Sequence, residues 1–81
     1  CIYYNRGNLL ALSGCFQEAF DDYSRAIALD PHLGQAYFNR GLVQLYMKKN
    51  RAGLLDISKA GELGIGEAYD VLRLYPEEER E

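Results

Sequence analysis

Five residues near the start of the chain, Tyr3-Tyr4-Asn5-Arg6-Gly7, return almost unchanged as Tyr37-Phe38-Asn39-Arg40-Gly41, 34 positions later. The same offset relates Asp22 to Asp56, Ser24 to Ser58, Ala26 to Ala60 and Leu29 to Leu63. A fixed period of this size restricts the chain to a stacked-repeat architecture. One unit cannot bury its apolar face alone, and a period near 34 residues fits a helix–turn–helix unit.

Apolar spacing places the helices. Ile2, Tyr3, Arg6, Leu9 and Leu10 fall on adjoining stripes of a first helix over 2–13, which Gly14 ends in the left-handed conformation. Phe16, Ala19, Phe20, Tyr23, Ala26 and Ile27 make the stripe of a second helix over 16–29, ended by Asp30-Pro31. A third helix over 35–47 repeats the first. Lys48-Lys49-Asn50 is the next turn, with Asn50 in the left-handed position. A fourth helix over 51–63 carries Gly53 and Gly61, each expected to weaken it by about 1 kcal/mol relative to Ala. Gly66-Glu67-Ala68-Tyr69 echoes Gly34-Gln35-Ala36-Tyr37 and starts a fifth helix, which Pro76 stops. The domain reading is therefore a repeat over about 1–33, a second over about 34–65, a capping helix over about 66–75 and a solvated acidic tail over 76–81.

Composition narrows the partners. The chain has 81 residues, 48% hydrophobic and 26% charged, which is one small folded domain rather than a disordered segment. Its net charge of −3 sits mostly in Glu77-Glu78-Glu79-Arg80-Glu81, so no nucleic acid is expected as a partner. No apolar run approaches the ~20 residues that a membrane span needs, so no membrane is expected either. Cys1 and Cys15 fall at opposite ends of the first helix, roughly 20 Å apart, too far for a bridge. Free thiols fit a reducing, cytoplasmic compartment. Cys1 opens the chain inside a helical pattern with no initiator Met, which reads as a piece of a longer protein.

These residues resemble the tetratricopeptide repeat family. The first unit matches its pattern with Tyr3, Gly7, Leu10, Ala19, Tyr23, Ala26 and Pro31. The second keeps Tyr37, Gly41 and Ala60 and departs at Gln44, Gly53, Ile57 and Ile65. The resemblance covers about residues 1–75 and implies an all-α, right-handed superhelix of two hairpins and a capping helix. Small residues at Gly7, Gly41, Ala19, Ala26 and Ala60 suit close helix crossings, with Tyr3, Tyr23 and Tyr37 filling the spaces between. Arg73 stands where Gly7 and Gly41 stood, which suits a terminal helix. A plain five-helix bundle is the alternative. It would bury Asn5 or Asn39, whereas a solenoid leaves both on a common open surface.

The resemblance also implies a non-catalytic protein-interaction module with a peptide in a concave groove lined by the first helix of each unit. The groove positions are then Tyr4, Asn5, Asn8 and Leu12, with Phe38, Asn39, Leu42 and Tyr46 each 34 residues later. Spacing of i, i+1, i+4 and i+8 puts each set on one helix face. Asn5 and Asn39 carry both a donor and an acceptor, which suits pairing with peptide backbone. A carboxylate clamp of the kind some members carry is not expected, because Tyr4, Glu67 and Val71 stand where its cations belong.

Arg6 and Arg40 replace residues that are usually apolar in the family, and they read as structural: stems packed between helices, heads reaching an acid or a carbonyl. His32 is alone in a loop, Cys15 has no adjacent cation, and no nucleophile–base pair or phosphate loop is recognisable. Neither an enzyme nor a cofactor is expected. The rival function is self-assembly: Ile2 and Leu9 of the first helix face where a preceding hairpin would lie, and a homo-oligomer through that helix would cover them.

Overall fold

The helical stripes become five α-helices in the computed structural model, which describes residues 1–75. They are α1 (Ile2–Leu12), α2 (Phe16–Leu29), α3 (Gly34–Tyr46), α4 (Asn50–Glu62) and α5 (Glu67–Arg73), and no strand occurs among the described residues. Each helix packs chiefly on its neighbours in sequence: α1 on α2, α2 on α3, α3 on α4 and α4 on α5. The Cα extents are 36 × 25 × 16 Å, and the smallest matches the depth of two packed helices about 10 Å apart. Neither Asn5 nor Asn39 is buried, as a stacked array requires. The acidic tail and the stop at Pro76 lie outside the described residues. The helical hydrogen-bond pattern of α5 ends earlier than the spacing suggests, at Arg73.

The core is in two parts, the first among α1, α2 and α3 and the second among α3, α4 and α5. Ala19, Tyr23 and Val43 form the first, walled by Leu10, Phe16, Phe20 and Met47. Ile57, Ala60 and Ala68 form the second, walled by Tyr37, Phe38, Leu42 and Ile65. Ala68 explains why a helix as short as α5 stays docked: it is fully buried against α4.

The turns inside the hairpins repeat the 34-residue period. Gly14 takes φ 81° and Lys48 takes φ 66°. In each case the next amide reaches back to a carbonyl five residues earlier, Cys15 N to Leu10 O at 2.9 Å and Lys49 N to Gln44 O at 2.8 Å. This is the closure that satisfies the last carbonyls of a helix. The left-handed residue is therefore Lys48, not Asn50, which is already the first residue of α4. The turn geometry belongs to the repeat, and the side chain at this position follows it.

Gly53 also has a packing role. A Cβ there would sit 2.8 Å from the Gly41 carbonyl oxygen, and one on Gly41 would sit 2.7 Å from the Gly53 carbonyl oxygen. The two glycines are the contact point of α3 and α4, and the helix weakening expected from Gly53 is offset by a closer crossing. In the first hairpin the same place is taken by Gly7, over which the Tyr23 ring lies; a Cβ there would meet that ring at 2.8 Å.

Two arginine clamps join the hairpins internally. Arg6 donates Nε and Nη2 to Asp22 at 2.6 and 2.9 Å, and Arg40 donates the same pair to Asp56 at 2.7 and 2.9 Å. Forked pairing of this kind fixes direction as well as distance. It holds the Asp22 carboxyl below the ordinary value of 3.8: the bond from Arg6 outweighs the opposing effect of burial, with Arg25 helping.

Two substitutions test the backbone argument by urea unfolding. Gly53→Ala destabilises the chain by about 1–3 kcal/mol despite Ala's better helix propensity, because the added methyl meets backbone. Lys48→Gly stabilises it by up to about 1 kcal/mol, since Gly adopts positive φ without the penalty of a side chain. A stabilising Gly53→Ala would contradict the close crossing.

Candidate functional site

Helices α1 and α3 begin their units, and the 34-residue period brings their equivalent faces side by side. Between them runs an open groove of about 550 Å³. Its polar part is Asn8, Asn39 and the Tyr23 hydroxyl. Its apolar part is Ala11, Leu12 and Phe16 on one side and Leu42, Val43 and Tyr46 on the other. A smaller hollow of about 240 Å³ continues past Leu42 and Tyr46 toward Val71 and Leu74 of the α5 end.

The polar part is a connected network. Tyr23 donates its O–H to Asn8 Oδ1 at 2.5 Å, and Asn39 Nδ2 donates to the same oxygen at 3.0 Å and to Tyr4 Oη at 3.2 Å. Both lone-pair sites of the Asn8 oxygen and both hydrogens of the Asn39 amide are thereby engaged. The network leaves the Asn8 amide nitrogen and the Asn39 carbonyl oxygen uninvolved. Burial pushes the Tyr23 phenol up to about 12; the neighbouring Tyr4 adds to the rise, and the nearby Asn39 amide opposes it. The phenol thus stays a donor at neutral pH.

Of the residues expected in the groove, Asn8, Leu12, Asn39, Leu42 and Tyr46 line it together. Tyr4 lies beneath, packed against the first core cluster with its ring 6.0 Å from Tyr23, and enters only through its hydroxyl. Phe38 packs into the second core cluster. Asn5 is exposed but outside the lining. Helical spacing alone does not separate them: Asn39, 34 residues after Asn5, does line the groove, because its edge of α3 faces Tyr4 and Asn8 of α1. Tyr46 is exposed and lies flat on Phe16, ring centroids 5.3 Å apart and planes 5° from parallel. Phe16, Ala11, Tyr23 and Val43 were not expected here. Phe16 comes from α2, the second helix of its unit, so a pattern confined to first helices misses it. Among the described residues no charged side chain lines the groove, and the position of a first clamp cation is the half-buried Tyr4.

Comparison with known proteins places the sequence. Residues 1–33 match the sequence model described as "Tetratricopeptide repeat". The chain is 35% identical over 69 residues to the DnaJ homolog subfamily C member 7 homolog of Schizosaccharomyces pombe, which covers 80% of this chain and 14% of that protein. It is 36% identical over 61 residues to the UDP-N-acetylglucosamine–peptide N-acetylglucosaminyltransferase of Giardia intestinalis, covering 75% of this chain and 4% of that protein. No solved structure gives a significant match.

The raised Tyr23 value carries a pH prediction. An unfolded tyrosine ionises near pH 10, whereas Tyr23 in the fold resists up to about 12. Its contribution to stability is complete below pH 10 and is lost as pH rises from there toward 12. Ultraviolet phenolate titration should show a late-ionising group that is absent in Tyr23→Phe. An unchanged titration in that variant would contradict the assignment.

Proposed function

The chain belongs to the tetratricopeptide repeat family, and from that premise we propose that the α1/α3 groove holds an extended segment of a protein partner. Tetratricopeptide repeats mediate protein–protein interaction, and the module is read here as non-catalytic. The observation that carries the finer reading is the composition of the groove: apolar walls around a small neutral polar centre, open along its length. Such walls accept an apolar side chain, and Asn8 and Asn39 together offer one donor and one acceptor to the backbone beside it. With no cation in the lining, a terminal carboxylate or a phosphate has no charge to meet. Neither nucleic acid nor membrane is part of this reading. The chain matches a small part of each relative, so the names of those whole proteins describe them and not this segment.

Two helices and part of a third make a short groove, so affinity is modest, roughly tens of micromolar or weaker. Leu12 and Tyr46 are exposed at its edges, where substitution leaves the core intact. In fluorescence anisotropy against a library of extended peptides, Leu12→Lys and Tyr46→Ser should each weaken the best binders by about three- to tenfold. Peptides that bind both variants as tightly as the parent chain would place the site elsewhere.

A further inference from the structure

A side-chain carboxamide carries an oxygen on one prong and an NH2 on the other, and only its partners decide which way round it sits. The groups at the centre of the groove form one chain of hydrogen bonds, from Tyr23 to Asn8, Asn39 and Tyr4. Every link in it has a mirror image. With both amides turned over, Asn8 would donate to Tyr23 and Asn39, and Tyr4 would donate to Asn39. The groove would then show the opposite face: an acceptor from α1 and a donor from α3.

The two ends of the chain separate these directions. Each direction uses the proton of one tyrosine hydroxyl and leaves the other to solvent: Tyr4 in the observed arrangement, Tyr23 in its mirror image. Tyr23 is 1% exposed, whereas Tyr4 is half-buried. A buried O–H without an acceptor bears the full cost of its lost hydration, and a half-buried one keeps part of its water. The Tyr23 ring is also fixed independently of these bonds. It lies over Gly7 and packs with Ala19 and Val43, so its hydroxyl has no second place to go.

We propose that Tyr23 is the positioning residue of the groove: its buried hydroxyl orients Asn8 and, through Asn8, Asn39, so that α1 offers a donor and α3 an acceptor. Resting on the reading of the groove as a peptide site, this assigns the direction of the occupant. The bound segment turns a backbone carbonyl to Asn8 and a backbone N–H to Asn39. In an extended residue both groups point to one side, so the segment runs N to C from α3 toward α1. Proline has no N–H to offer and is refused at the residue that meets Asn39.

Carboxylates read the orientation without any ligand, because an ionised Asp only accepts. Asn8→Asp keeps both bonds that the Asn8 oxygen receives. Asn39→Asp deletes both that the Asn39 amide gives and sets two oxygens face to face. Both sites are half-buried, so the cost of placing a charge is comparable. In urea at neutral pH, Asn39→Asp should lower the folding equilibrium constant about tenfold more than Asn8→Asp. Tyr23→Phe keeps the ring over Gly7 and removes the hydroxyl. Asn8 is then free to turn over and donate to the new carboxylate, so the gap between the two variants should close. Equal costs in the parent chain, or a gap that Tyr23→Phe leaves unchanged, overturn the role of Tyr23.

The direction of the occupant is read on the tightest binder of the peptide library. Replacing backbone amides by esters, one at a time, removes single N–H groups. One ester should weaken binding by about three- to tenfold, and that loss should vanish in Asn39→Ala and persist in Asn8→Ala. A loss that vanishes in Asn8→Ala instead overturns the assigned direction. A library without a binder overturns the peptide groove itself, and the carboxylate pair still decides for or against Tyr23.

Discussion

Arg40 is the joint on which the arrangement depends. It grips Asp56 of α4 with two bonds and Ser24 of α2 with a third, and it lies between the rings of Phe20 and Tyr37. One side chain therefore ties α2, α3 and α4 together at the boundary between the hairpins. Gln44 completes it, donating to Asp56 at 2.5 Å and to the Arg40 carbonyl at 3.2 Å. A half-buried ion pair is tolerated when its buried atoms find further hydrogen-bond partners, and no buried side-chain nitrogen or oxygen among the described residues lacks one. Its direction matters more than its strength: the forked bonds orient α3 on α4, and the single bond to Ser24 with the Phe20 contact orients α3 on α2.

That orientation is what creates the groove. With α3 fixed on α2, Asn39 reaches across to Tyr4 and Asn8 of α1, although α1 and α3 otherwise touch little. The Gly41–Gly53 crossing then brings α4 in close enough for Ile57 to be fully buried. The groove is thus the outcome of joints made on the other side of α3. The neutral network at its centre uses the Tyr23 hydroxyl as a donor, and burial extends that state to higher pH.

The repeat period made most of this readable beforehand. Helix order, the glycines at the crossings and the structural role of Arg6 and Arg40 follow from residues that recur 34 positions apart. What escaped was whatever the repeat does not spell out locally. Lys48 in the left-handed position is set by the turn it shares with Gly14, and its own preferences point elsewhere. Gly53 reads as a helix breaker until a partner backbone is seen 2.8 Å from its would-be Cβ. In the groove, Asn8, Leu12, Asn39, Leu42 and Tyr46 were recognisable because the family resemblance puts a groove on the first helix of each unit, and spacing then puts each set on one face. Phe16 was not, because its place beside Tyr46 comes from how α2 stacks on α3.

The claim that the Arg40 joint sets the groove can be read most directly from the side-chain amide of Asn39 by nuclear magnetic resonance. In the native chain its two N–H protons should be distinct and shifted by their bonds to Asn8 and Tyr4. Arg40→Leu places a residue of the family's usual apolar type there and keeps the packing volume roughly similar. The account predicts that the Asn39 amide then moves toward the position of a solvated asparagine while α1 and α2 stay helical. An Asn39 amide unmoved in Arg40→Leu would contradict it, showing that apolar packing alone holds the two hairpins in register.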